Sequence, residues 1–167
     1  MSSHQMINQD SGNCEWYTPD SIVDCARLVM GSIDLDPASS EVANRKVKAS
    51  IFYTEKDNSL EKEWVGNIWM NHPFSRENNK LFVKKIVGEH ELGNINQACC
   101  ITFAATSEKW FQPLLAYPQC YIHGRTNYFM PDGTLKKGVT KGSVVTYIGE
   151  NISEFKKYFS KIGTVKI

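Results

Sequence analysis

The residues of this chain best suited to chemistry stand together at Asn71-His72-Pro73-Phe74, directly after the apolar run Ile68-Trp69-Met70. Such a run predicts a buried strand. Pro73 predicts its end, because proline has no N–H for a strand ladder and pushes His72 toward an extended conformation. A carboxamide, a main-chain carbonyl and an aromatic ring are thereby presented at the carboxyl end of a strand, where open α/β sheets bind ligands. Together they suit the holding of a planar exocyclic amine. Asn71 Oδ1 accepts one N–H, the His72 carbonyl accepts the other, and the Phe74 ring stacks on the heterocycle. A strand end closed by a turn proline has the same form, and the tetrapeptide alone leaves both readings open.

The elements that must position this stretch begin upstream. Glu15-Trp16-Tyr17-Thr18-Pro19-Asp20 opens onto SIVDCARLVMG, in which Ile22, Val23, Ala26, Val29 and Met30 fall at helical spacing. Thr18 is expected to cap that helix with Pro19 in its first turn, and Gly31 to stop it. Ile33 and Leu35 predict a short strand broken by Asp36-Pro37. Ser39 or Ser40 is then expected to cap a helix through SEVANRKV. A strand ending in an acid just before a helix start suits an amino-acid ligand, with the acid facing an ammonium group and free backbone N–H groups facing a carboxylate. A plain turn is the alternative for Asp36-Pro37-Ala38-Ser39. Val47 to Tyr53 is expected to be a second strand, and Asp57-Asn58-Ser59 a surface turn.

Beyond Phe74, residues 76–90 predict an amphipathic helix with Leu81, Phe82, Ile86 and Val87 inward. INQACCITF, 95–103, predicts a buried strand, and 104–111 the cap and first turn of another helix with Ser107 as the cap. Further strands are expected at Cys120–Ile122 and Val144–Ile148, a helix over 152–159, and a strand or frayed end in the final TVKI. Strands and helices alternate along the chain, which predicts a single α/β domain built on a largely parallel sheet with right-handed crossovers. Residues 1–14 are expected to form a flexible leader and residues 15–167 the domain.

Composition narrows the possibilities. At 167 residues, 41% hydrophobic and 22% charged, the chain reads as one ordinary globular domain. No run approaches the ~20 apolar residues of a membrane span, and the polar start lacks a signal pattern, so a cytoplasmic protein is expected. Cys14, Cys25, Cys99, Cys100 and Cys120 are odd in number and form no C-x-x-C, which predicts reduced thiols and no zinc site. A net charge of +1 gives no general warrant for nucleic-acid binding. Basic residues do concentrate locally, in Arg76, Lys80, Lys84 and Lys85 after Phe74 and in Lys136, Lys137 and Lys141 of the glycine-containing stretch 133–143. Flexible basic segments contact phosphate without reading sequence, and a solvated surface is the alternative.

The order of these motifs carries a resemblance. W-Y-T-P, D-L-D-P-A-S, D-N-S-L with Trp64, N-H-P-F-S, T-S-E-K-W-F and H-G-R-x-N-Y-F run from about residue 15 to residue 149. The series resembles the phage-type DNA N-6-adenine methyltransferase family, which methylates adenine N6 with S-adenosylmethionine. The resemblance implies a Rossmann-like methyltransferase sheet, mostly parallel with an antiparallel last strand and helices on both faces. It implies that Asn71, His72, Pro73 and Phe74 form the catalytic motif, with His72 where the family usually has proline. Trp16, Tyr17, Thr18 and Pro19, with Asp36, Pro37, Ala38 and Ser39, would hold S-adenosylmethionine, and Asp57 or Asn58 its adenine. Ser75, Arg76, Lys80, Arg125, Lys136, Lys137 and Lys141 become candidates for contact with DNA, expected to be double-stranded with a flipped adenine. No metal is required. The G-x-G-x-x-G loop of many nucleotide-binding folds is missing, and an imidazole at position 72 is expected to titrate near neutral pH. Other planar amines (cytosine N4, RNA adenine, a glutamine amide) fit the same acceptor pair. A non-catalytic nucleic-acid-binding or anti-restriction protein on a degenerate methyltransferase fold is the reading from a different class.

Overall fold

Nine nearly uncharged residues, Ile95–Phe103, form the strand on which the molecule is assembled, β4. A computed structural model of the chain describes residues 16–167, so the expected leader at 1–14 lies outside the described residues. The remaining strands are β1 (Leu35–Asp36), β2 (Ile51–Phe52), β3 (Gly66–Met70), β5 (Gln119–Ile122), β6 (Ser143–Ile148) and β7 (Gly163–Lys166). They make one sheet in the order β2-β1-β3-β4-β6-β5-β7. The first four are parallel. β6 runs against β4, β5 against β6 and β7 against β5, so the antiparallel part is broader than the single last strand expected.

Among the described residues, four α-helices cover the sheet: α1 (Asp20–Met30), α2 (Glu41–Val47), α3 (Arg76–Glu91) and α4 (Ile152–Phe159). Alternate residues of a strand point to opposite faces. Trp69, Cys99, Ile101, Val145 and Tyr147 therefore pack with Ile22, Val23, Ala26, Val29 and Met30 of α1 and Phe155 and Phe159 of α4. Ile68, Met70, Ala98, Cys100, Val144 and Ile148 pack on the other face with Phe82, Val83 and Ile86 of α3. The result is the α/β, Rossmann-like sheet with helices on both faces. The thiols of Cys25, Cys99, Cys100 and Cys120 are free, and burial pushes that of Cys100 up to about 12.

Gly66 shows how tightly β3 is placed. Its φ of +89° suits only glycine, and a Cβ there would lie 2.5 Å from Asp34 Oδ2. That same carboxylate oxygen accepts the Asn67 N–H at 2.8 Å, which ties the start of β3 to the segment entering β1.

Several local expectations are corrected. Thr18 does not cap α1: Pro19 occupies the cap position without a side-chain bond, and the Thr18 hydroxyl is buried without a partner. Val47 closes α2, through a left-handed Lys48, so the strand expected from Val47 shrinks to Ile51–Phe52. Ser40, not Ser39, caps α2, accepting from the Ala43 N–H at 3.0 Å. Leu81 faces out at 38% exposure, whereas Phe82 and Ile86 go in. No helix follows β4 at 104–111. The chain turns there and forms a short 3-10 helix, Gln112–Ala116, with Pro113 in its first turn.

Candidate active site

The strand order reverses between β1 and β3. β1 connects outward to β2, whereas β3 lies on its other side and leads to β4. Ligands of open α/β sheets sit in the crevice at such a point, beyond the carboxyl ends of the strands. A cleft of about 830 Å³ opens there, within the range of small-molecule sites. Asp36, the last residue of β1, and Asn71, the residue after β3, both line it.

Asn71 is held by a residue 55 positions away: its Nδ2 donates to the Trp16 carbonyl at 2.6 Å. A carbonyl only accepts, so this bond fixes which way the amide faces and frees Oδ1. Neither Asn71 Oδ1 nor the His72 carbonyl has a hydrogen-bond partner among the described residues. The W-Y-T-P segment is itself clamped. Tyr17 pairs with Phe129 through two backbone hydrogen bonds of 2.7 and 2.9 Å, and its hydroxyl lies 2.9 Å from Ser40 Oγ. One extended segment thus bridges the Asn71 end of β3 and the cap of α2.

Asp36 is 2% exposed. Its Oδ1 accepts the Ala38 N–H at 3.2 Å, and burial pushes its carboxyl up to about 7, against that bond and one from Ser39. A carboxyl in this state gains from any cation brought beside it. Thr18 Oγ1, on the same cleft, is a buried hydroxyl without a partner.

His72 is 1% exposed and does not line the cleft. Burial lowers its pKa to about 4, in spite of the hydrogen bond with Asn79, so the expectation that it titrates near neutrality is corrected. The sign of the linkage follows. The folded protein holds His72 neutral and the unfolded chain protonates it near 6.5, so its contribution to stability is complete above pH 6.5 and is lost as pH falls toward 4. We expect His72→Phe to flatten this part of the stability profile in denaturant titrations between pH 4 and 7.

Phe74 stands outside the cleft lining, half-buried in a cluster of rings. Its centroid is 4.8 Å from Phe103, 5.7 Å from Tyr128 and 5.8 Å from Trp16. Two of the candidate DNA-contacting lysines reach this cluster, Lys136 Nζ at 5.2 Å from the Trp16 centroid and Lys141 Nζ at 5.5 Å from that of Phe103.

Of the candidate cofactor residues, Trp16, Tyr17, Thr18, Asp36, Pro37, Ala38, Ser39 and Asn58 line the cleft, with Asn71, Pro73 and Ser75. Pro19 starts α1 instead. Asp57 is corrected as well: its Oδ2 accepts the Thr54 N–H and hydroxyl, both at 2.7 Å, and so closes a 3-10 turn rather than facing the cleft. Ser75 caps α3 by accepting the Asn78 N–H at 3.2 Å. Arg76, Lys80, Arg125 and Lys137 are exposed and apart from the cleft. The sequence missed Lys46, Thr54, Glu55, Trp69 and Asn78 as lining residues. Glu55, two residues before Asp57, carried only the weak signal of a polar turn. Among the described residues, no group of His, Cys, Asp and Glu is gathered that could hold a metal ion, and no helix is long and apolar enough to cross a membrane.

A search of curated protein sequences finds no match to the chain. The profile of the DNA N-6-adenine-methyltransferase (Dam) family matches residues 6–165. With nearly the whole length covered and a Rossmann-like sheet whose switch-point cleft is lined by Asn71 and Pro73, the chain belongs to the DNA N-6-adenine-methyltransferase family.

Proposed function

We propose that the protein methylates adenine N6 in DNA with S-adenosylmethionine, the target base being extruded from the duplex toward Asn71-His72-Pro73-Phe74. One observation carries this reading: a single cleft joins a buried carboxyl, Asp36, to a carboxamide, Asn71, whose acceptor oxygen has no partner among the described residues.

The residues present fit the cofactor. Asp36 would hold its ammonium group, the Thr18 hydroxyl and the polar groups around Ser39 the rest of its methionine end, and Asn58 its adenine. When bound, S-adenosylmethionine supplies an electrophilic methyl group. The chain's own task is to prepare the amine. N6 is a poor nucleophile because its lone pair is delocalised into the purine ring. Asn71 Oδ1 and the His72 carbonyl, accepting its two N–H groups, favour a pyramidal nitrogen with the pair localised on it. Both acceptors are fixed before the base arrives, so positioning and electrostatics supply the acceleration. Extrusion costs a few kcal/mol, offset by stacking on Phe74 and its neighbouring rings.

DNA is contacted without sequence readout by the lysines beside that cluster, and we expect Lys141→Ala to weaken binding equally across DNA sequences. The slope of log affinity against log salt should fall by about one. A slope unchanged from wild type would remove Lys141 from the interface. The reading as a whole is tested by transfer of a tritiated methyl from S-adenosylmethionine to unmethylated DNA, RNA and protein, followed by identification of the product. N6-methyladenosine from RNA, N4-methylcytosine or methylglutamine as the main product would overturn it, as would no product.

A further inference from the structure

His72 is the residue at which this chain departs from the family it resembles, and its side chain is held from three directions. The ring stacks on Phe82 with centroids 5.5 Å apart and planes 13° from parallel. It meets Phe74 edge-on at 5.7 Å. Its Nε2 lies 2.6 Å from Asn79 Oδ1. Asn79 is itself 7% exposed and sits in the first turn of α3, where its N–H bonds the Ser75 carbonyl at 2.8 Å. An amide oxygen can only accept, so Nε2 donates to it, and burial of the ring, with Nδ1 unpartnered, keeps it neutral. The sequence gives no hint of this pair, because Asn79 reads as one more polar residue of an amphipathic helix.

A proline at this position fixes φ covalently and so removes one of the two torsions that aim its own carbonyl. Histidine leaves that torsion free unless something else restrains it. We infer that the His72 side chain is a positioning residue: its hydrogen bond to Asn79 and its seat between Phe82 and Phe74 hold the backbone whose carbonyl takes the second amine N–H, in place of a proline ring. The inference rests on the proposed role of that carbonyl. It assigns a function to Asn79, which touches neither the cleft nor the substrate and acts through His72 alone.

The test uses the full-length chain with Asn79→Leu, His72→Phe, the double variant and Asn79→Asp. His72→Phe keeps an aromatic ring in the seat and so guards against a merely unfolded result. Loss of either partner should lower kcat about tenfold or more, as a displaced acceptor would. KM for DNA and Kd for S-adenosylmethionine should stay within about twofold, because neither ligand touches the clamp. The double variant should be no slower than the worse single variant, since both remove the same bond. Asn79→Asp keeps the acceptor and should retain most of kcat. Asn79→Leu turning over at the wild-type rate, losses that multiply in the double variant, or a loss confined to ligand binding would each overturn the clamp. A wild-type protein that transfers no methyl, or an Asn71→Ala variant as fast as wild type, would instead overturn the reading of the site on which it stands.

Discussion

Asn71→Ala is expected to lower methyl transfer to DNA by about 10²- to 10³-fold, the usual effect of deleting one preorganised hydrogen-bonding group from a reacting centre. Affinity for S-adenosylmethionine should change little, because the Asn71 carboxamide faces the amine in this reading and not the cofactor. The geometry makes a second variant informative. Asn71 Nδ2 donates to the Trp16 carbonyl at 2.6 Å, and among the described residues this bond alone orients the amide. Asn71→Asp keeps the size and the acceptor oxygen but replaces the donating Nδ2 with a carboxylate oxygen, placed against that carbonyl. Acceptor against acceptor repels, so the side chain turns away or takes up a proton, and Asn71→Asp should be nearly as slow as Asn71→Ala. Single-turnover kinetics with calorimetry on the same samples separates chemistry from binding. Transfer at the wild-type rate in either variant would displace Asn71 from the reaction.

Asp36→Asn should make the ligand-free protein more stable at pH 8 and at the same time weaken S-adenosylmethionine binding by about 10²-fold. Both effects come from one fact, a carboxyl pushed up to about 7 by burial. The unfolded chain ionises this group near 3.8, so the folded protein holds the extra proton between about pH 4 and 7. Its contribution is therefore complete below pH 4 and is lost as pH rises through 7, by on the order of 4 kcal/mol. Asparagine stays neutral throughout and keeps an oxygen for the Ala38 N–H, so it escapes that loss. The ligand reverses the argument. An ammonium group beside Asp36 favours the ionised form, and wild-type affinity should rise with pH through about 7 as binding ceases to require loss of a proton. Thermal melts at pH 6 and 8 and calorimetry over the same range read both effects. A variant that melts below wild type at pH 8 would show that the carboxylate serves the fold and not the ligand. Between pH 4 and 6.5 the Asp36 and His72 contributions run in opposite directions, so each must be read as a difference between wild type and its own variant.

These expectations share a pattern. Asp36, His72 and Thr18 are buried polar groups at one end of the sheet, and His72 Nδ1 and Thr18 Oγ1 lack partners. A buried polar group without a partner destabilises the protein that carries it. Two such groups, beside the buried Asp36 carboxyl, at the carboxyl ends of β1 and β3 or on the segment that covers them, mark where stability yields to ligand binding.

The sequence by itself determined what depends on neighbours in the chain. Pro73 ends β3 because it has no N–H, and the uncharged run from Ile95 to Phe103 forms β4 because its apolar stretch Ala98-Cys99-Cys100-Ile101 can be buried on both faces of a central strand. The alternation of elements and the motif order were likewise legible, and they carried the resemblance. Tertiary structure alone decided the rest. Periodicity cannot say that Trp16 orients Asn71 across 55 residues, or that His72 is gripped from α3. Nor can it say which of two adjacent polar residues meets the cleft. Asp57 is turned away by the cap it forms with Thr54, and Asn58 is turned in by a left-handed backbone at φ +49°. The expected strand from Val47 failed for a similar reason: β-favouring residues there were outweighed by the capped turn of α2 and its packing against α1. Local preference spans a kcal/mol or so per residue, and contacts between distant segments exceed it when they bury a whole side chain.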